Sequence, residues 1–189
     1  MSSLDSTFEL LQSQLKGTDA LNPAKSDPVF YFIHAPEETL ELKQRLPLWA
    51  AKLRQDDLQV QTVSMADLAW KIIDRSGRWD AWLEAEPDAE PADINSAMRD
   101  VLRGDDGLIG EVAALVSEPV ENRVLFLTDT GLLHPYFRVR TLESGLHDRV
   151  KVPMVIFYPG TRSGQYGLKF LGFYSVDGNY RSTLIGGTA

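Results

Sequence analysis

The sequence RVLFLTDTGLLHPYFRVRTL, residues 123–142, decides the fold, because it joins an apolar strand to a polar turn and then to a helical pattern. Residues 124–127 are apolar without alternation, as expected of a strand that is covered on both faces of an α/β sheet. Thr128, Asp129 and Thr130 follow this strand directly. Ligands and partners usually bind where the strands of an open α/β sheet end. The sequence therefore predicts a strand-end polar turn at these three residues.

The order of the other elements indicates the fold class. Apolar strand patterns recur at residues 29–33 and 152–158, an alternating one lies at residues 58–63, and helical patterns separate them. This alternation is typical of a mostly parallel sheet flanked by helices. Asp177 and Gly178 are a strong turn signal between residues 169–174 and 180–185, so we expect a C-terminal β-hairpin. We predict an α/β fold that is P-loop-like or Rossmann-like.

Length and composition predict a single α/β domain over residues 1–189, with 43% hydrophobic residues to form its core. Residues 1–28 are expected to form an N-terminal helix and linker. Residues 84–93, EAEPDAEPAD, have too few apolar groups to fold alone and predict an exposed acidic loop. Trp79 and Trp82 precede this loop at helical spacing. They are interpreted either as core residues or as an interaction anchor. Pro47 lies within a helical pattern and predicts a kink or a break there.

Composition also restricts the class of protein. The chain has no cysteine, so disulfides and thiolate metal sites are excluded. It has no leader pattern and no apolar run near the roughly 18 residues that a membrane helix needs, so we expect a cytoplasmic protein without membrane contact. The net charge of −8 divides into −11 for residues 1–120 and +3 for residues 121–189. An acidic chain repels phosphate, and direct DNA binding is not expected.

Catalytic motifs are missing. A Walker A loop needs two glycines five positions apart, then Lys and Ser or Thr. The first strand is followed by HAPEETLELK, residues 34–43, which has no glycine and places Glu37 and Glu38 where phosphate would lie. The sequence GTRSGQ, residues 160–165, has the wrong glycine spacing and reads as a turn into a strand. No histidine has metal-site spacing, and no GxSxG elbow occurs. We therefore assign no catalytic, cofactor-binding or metal-binding residue and expect no cofactor.

Asp129 has two interpretations at this stage. As a strand-end carboxylate between two threonines, it has the chemistry to bind a cation or to act as a base. Aspartate is also common as a helix cap or a turn former, and we favour this second interpretation.

Residues 123–160 together resemble the signature of the BrxB family, a small component of bacterial BREX phage-defence systems, and the resemblance continues more loosely through residues 168–185. Such systems combine a DNA methyltransferase, a large ATPase, a phosphatase-like protein of the PglZ family and small accessory proteins. The resemblance implies a non-catalytic scaffold or adaptor that contacts other BREX proteins, with the PglZ-type component as the first choice of partner. A nucleotide- or phosphate-binding enzyme on a degenerate P-loop-like fold remains the alternative, and a homo-oligomer also stays open.

An adaptor without chemistry acts through its surface, and interfaces are enriched in arginine and aromatic residues. These residues are concentrated after residue 128, on the expected helix that follows the strand-end turn and near the later strand ends. The alternative is that the tyrosines are half-buried core residues and that the arginines pair locally. The partner-binding candidates are Tyr136, Arg138, Arg140, Tyr158, Arg162, Tyr166 and Tyr180.

Overall fold

The computed structural model describes residues 3–17, 27–105, 107–165, 167–178 and 182–187, so the candidates Tyr166 and Tyr180 lie outside the described residues. None of the helices in these ranges is long and apolar enough to cross a membrane. The helices are α1 (Ser3–Lys16), α2 (Thr39–Gln55), α3 (Met65–Arg75), α4 (Trp79–Ala85), α5 (Pro91–Arg103), α6 (Leu108–Val116) and α7 (Val139–Gly145). The strands are β1 (Val29–His34), β2 (Gln59–Ser64), β3 (Arg123–Thr128), β4 (Met154–Ser163), β5 (Gly167–Phe170) and β6 (Thr183–Gly186).

The sheet is mostly parallel. Its strands lie in the order β2-β3-β4-β1-β6, and every pair along this path is parallel. Only β5, which pairs with β4, is antiparallel among the described strands. Because the parallel strands point the same way, their carboxyl ends meet at one edge of the sheet. The predicted α/β class is confirmed.

The predicted C-terminal hairpin is wrong in its pairing. β5 pairs with β4, with Gly160 opposite Phe170, whereas β6 pairs with β1, with Phe30 beside Thr183. Leu168 and Asp177 form an isolated bridge, so a turn still forms near the predicted position. Strand β6 pairs with β1 instead of β5 because the side chain of Ile185 is buried in the same core as Phe30 and Phe32. A separate hairpin would leave that side chain in solvent.

Helices cover both faces of the sheet, and successive strand residues point to opposite faces. Phe30 and Phe32 of β1 pack in the core that contains the apolar residues of α1 and α2. Tyr31 and Ile33 pack in the other core, which contains those of α3, α6 and α7. Both faces are therefore buried, and this explains why β1 and β3 are apolar without alternation.

Two proline-containing segments differ from their predictions. Of the predicted kink or break at Pro47, the break is wrong, because α2 continues through the proline with core residues on both sides of it. Residues 84–93 lie at the surface, but they form the end of α4, a 3-10 turn at Glu86–Asp88 and the first turn of α5 rather than an irregular loop. Pro91 is the first residue of α5 and Pro87 is the second residue of the 3-10 turn, and at both positions the N–H would have no partner within the helix.

Trp49 fixes the packing of α1 and α2 on the sheet. Its indole is fully buried, stacks on the Phe8 ring of α1 at 4.7 Å and lies 5.4 Å from the Phe32 ring of β1. One side chain thus joins two helices and a strand.

We predict that Trp49→Ala lowers the free energy of unfolding by about 3–5 kcal/mol, because it leaves a cavity between α1, α2 and β1. Urea unfolding followed by circular dichroism measures the effect. The matched control is Leu48→Ala, one residue earlier and 56% exposed, which should cost less than about 0.5 kcal/mol. Equal costs for the two variants would contradict this account of the core.

Candidate functional site

The carboxyl ends of β2 and β3 lie side by side and carry polar residues. Ser64 pairs with Thr128 in the parallel register, and Asp129 follows with a left-handed backbone at φ 59°. Asp129 begins a 3-10 turn, Thr130–Leu133, yet its side chain caps no backbone amide there. The sequence favoured two structural roles for Asp129, and the structure confirms the role of a turn former, whereas the role of a helix cap is wrong. Aspartate suits this position because it tolerates left-handed backbone better than most residues.

The carboxylate of Asp129 is bound by the protein's own groups. The Lys43 ammonium of α2 forms an ion pair with Oδ1, and Thr128 Oγ1 donates to Oδ2 at 3.3 Å. Burial alone would raise the pKa of Asp129. The Lys43 ammonium and the hydroxyls of Ser64 and Thr128 outweigh burial, so the pKa lies below its ordinary value. We call Lys43, Ser64, Thr128 and Asp129 the strand-end cluster.

Thr130, the third residue of the predicted turn, has a structural partner. Its hydroxyl donates to the carbonyl oxygen of Phe157 in β4 at 2.6 Å, and its side chain is buried. This hydrogen bond ties the turn after β3 to the neighbouring strand.

The segment after β1 occupies the position at which a P-loop protein would hold phosphate. Here the Ala35 amide donates to Glu38 Oε2 at 3.0 Å, and Ser3 Oγ donates to Glu38 Oε1 at 2.6 Å. A carboxylate of the chain thus takes the amide that a phosphate would need. His34 is buried beside it, and burial lowers the pKa of its imidazole.

One described group has the side chains for a metal site. Asp27, His147 and Asp148 bring their ligand atoms within 4.8 Å of one another. Asp27 Oδ2 already accepts from the Asp148 amide at 3.0 Å and lies 3.2 Å from His147 Nδ1. Contacts within the group account for this arrangement.

A small cavity of about 40 Å³ lies beyond the end of β3, against β4 and β5. We call it the rim cavity. Aromatic rings form much of its wall: the ring centroids of Tyr158 and Phe170 lie 5.6 Å apart, and those of Tyr174 and His134 lie 4.5 Å apart. The residues that carry its chemistry are His134, Arg138, Arg140, Tyr158, Tyr174 and Asp177.

The rim cavity has a positive mouth. Arg138 is exposed, and Arg140 lies 3.8 Å from Asp177 as a long ion pair. Arg99 of α5 reaches the same region, where its Nε donates to the Pro135 carbonyl at 3.4 Å. Burial lowers the pKa of His134, and the charges of Arg138 and Arg99 lower it further. The surroundings therefore favour the neutral form of the imidazole.

The partner-binding candidates are only partly brought together. Among the described residues, Arg138, Arg140 and Tyr158 line the rim cavity, whereas Tyr136 and Arg162 do not. Tyr158 is 2% exposed, so the alternative of a core tyrosine describes it better than a surface position does. Tyr136 packs half-buried against the core, and Arg162 Nη2 donates to the Gln165 carbonyl at 3.5 Å.

The predicted helix position of these residues also needs correction. Helix α7 begins at Val139, so only Arg140 lies on it, and Tyr136 and Arg138 precede it. Arg138 itself has an extended backbone, with ψ 131°, and so ends the non-helical segment that begins at His134, whose ψ of 137° is the extended conformation favoured before a proline.

Sequence reasoning missed three side chains of the strand-end cluster and the rim cavity: Lys43, Phe170 and Tyr174. No pattern links Lys43 to Asp129 before the path of α2 is known. Phe170 and Tyr174 were assigned to a hairpin strand, and no sequence pattern showed that their ring centroids lie 5.8 Å apart.

Comparison with known proteins agrees with the resemblance. The family model for the BREX protein BrxB matches residues 61–185, from β2 to β6. A curated BREX protein BrxB from Bacillus cereus (strain H3081.97) is 24% identical over 155 residues, which cover 81% of this chain and 80% of that protein. No solved structure matches. With a family match over more than half of its length, the chain belongs to the BrxB family of BREX phage-defence proteins.

Proposed function

We propose that this chain is a non-catalytic scaffold of a BREX complex, and that it contacts a partner protein through the rim cavity. The PglZ-type component is our choice of partner. The observation that carries the proposal is a contrast at one edge of the sheet: Asp129 and Glu38 are engaged by the chain's own groups, whereas Arg138 is exposed and makes no ion pair within the described residues.

The chemistry of the rim cavity suits a carboxylate-bearing protein segment. Arginine binds carboxylates through paired hydrogen bonds, and the aromatic wall offers apolar contact beside them. A volume of about 40 Å³ admits one side-chain tip, whereas small-molecule sites reach roughly 300–1,000 Å³. The remaining area of a specific interface, about 800 Å² on each side, would come from the surface around the mouth.

Charge reversal tests the rim cavity. We expect Arg138→Glu with Arg140→Glu to reduce co-purification of the PglZ-type protein at least about tenfold and to abolish phage protection, because two guanidinium groups become repulsive carboxylates. The melting temperature should stay nearly unchanged. Arg54→Glu, a charge reversal at an exposed position on α2, is the control, and Arg162→Glu shows how far the interface extends. A stable double variant that retains every partner would place the interface elsewhere.

The alternative, a nucleotide-binding enzyme, has a direct test. We expect the purified protein to show no ATP or GTP hydrolysis above background and no thermal shift with either nucleotide and Mg²⁺. A ligand at 100 times its dissociation constant should stabilise the fold by about 2.7 kcal/mol. Turnover that disappears in Asp129→Asn would overturn the scaffold proposal.

If Asp129 has a structural role, its loss should destabilise the fold. Asp129→Asn keeps a side chain that tolerates φ 59° but removes the charge opposite Lys43. We expect a cost of about 1–2 kcal/mol at pH 7 by chemical unfolding. Because the folded pKa lies below the ordinary 3.8, this difference should persist above about pH 4 and shrink as the pH falls further.

The matched control is Asp57→Asn, since Asp57 is exposed and also has a left-handed backbone, at φ 61°. This control should change stability by less than about 0.5 kcal/mol. Stabilisation by Asp129→Asn would instead indicate a carboxylate kept for chemistry, as at many catalytic sites.

A further inference from the structure

Three tryptophan side chains form a connected group at the surface of α3 and α4. Trp70 stacks on Trp79 at 5.8 Å with an interplanar angle of 12°, and Trp79 meets Trp82 edge to face at 5.9 Å. Trp79 and Trp82 pack half-buried against the core, whereas Trp70 is 52% exposed and Leu83 is 59% exposed. We call these four residues the tryptophan patch.

The patch is held in place before any partner arrives. Trp79 Nε1 donates to Asp74 Oδ1 at 2.7 Å, which fixes the indole against which Trp70 stacks. A side chain that is already ordered loses little conformational entropy on binding, and tryptophan is the residue type most enriched at binding hot spots.

The surroundings of the patch are strongly acidic. Residues 79–98 contain no lysine or arginine and carry six exposed carboxylates, none of which makes an ion pair within the described residues. The nearby cations of α3, Lys71 and Arg75, both form ion pairs with Glu111, at 3.5 Å and 2.7 Å. With Arg78 included, residues 78–98 have a net charge of −5. The six are Asp80, Glu84, Glu86, Asp88, Glu90 and Asp93.

We propose that the tryptophan patch docks a basic surface of another protein of the BREX complex. Charge complementarity selects this class of partner, because carboxylates repel nucleic-acid phosphates and anionic lipid headgroups alike. Lysine or arginine side chains would pair with the carboxylates and also lie on the open face of Trp70, where a cation is attracted to the indole ring. The inference does not depend on the rim cavity.

Two variants of the full chain, expressed with the whole BREX locus, test the apolar and the charged parts separately. The apolar variant is Trp70→Ser with Leu83→Ser, and the charge variant is Glu84→Lys with Glu86→Lys and Asp88→Lys. The apolar control is Leu10→Ser with Leu48→Ser, at 59% and 56% exposure on α1 and α2. The charge control is Glu9→Lys with Glu37→Lys and Glu121→Lys, all at exposed positions.

Both patch variants should co-purify at least about tenfold less of one and the same BREX protein than the wild type does. Their melting temperatures should stay unchanged, and both control variants should co-purify wild-type amounts of that protein. In the wild-type complex, a carbodiimide, which joins carboxylates directly to lysine amines, should link residues 84–93 to lysines of that protein. Retention of every BREX protein by both variants would overturn the proposal. So would links from residues 84–93 only to other copies of this chain, or loss of bound DNA with all proteins retained. Failure of the Arg138 and Arg140 variant to lose a partner would bear on the rim cavity alone.

Discussion

Parallel pairing of β4 with both β1 and β3 is the constraint on which the rest of the structure depends. A strand in the middle of a parallel sheet is reached only through crossovers, and each crossover must pack on one face of the sheet. Helix α2 therefore covers the face opposite to α3, α6 and α7. Together with the parallel pairing of β2 with β3, it brings the ends of β1, β2 and β3 to one edge, so that His34, Ser64 and Asp129 lie there although they are distant in sequence.

The charged side chains at this edge and around it fall into two groups, those paired within the fold and those left open. The charges that the fold itself brings together, Lys43 with Asp129 and Arg45 with Asp5, connect α2 to β3 and to α1. The two candidate surfaces differ in the sign of most of their open charges, with arginines around the rim cavity and carboxylates around the tryptophan patch. By charge complementarity, the first surface fits an acidic partner and the second fits a basic one.

The sequence predicts the sheet well because its information is local. Residues 124–127 are uniformly apolar, and this pattern alone specifies a strand buried on both faces. The partner of a strand is not local information: nothing within residues 180–185 shows that Ile185 belongs beside β1 rather than in a hairpin. Tyr158 fails for a similar reason, since a tyrosine reads as a rim residue until Phe170 is known to cover it. Lys43 reaches Asp129 only through the crossover path of α2.

The position of β1 in the sheet has a consequence for synthesis on the ribosome. Both of its neighbours, β4 and β6, follow it in the chain, and about 120 residues separate the end of β1 from the start of β4. At about 5–20 residues per second, roughly 6–24 s pass before its first partner is made. During that time VFYFI, residues 29–33, has no strand to pair with and remains a hydrophobic segment suited to chaperone binding. Most of the native sheet therefore forms late, when nearly all of residues 1–187 have been synthesised.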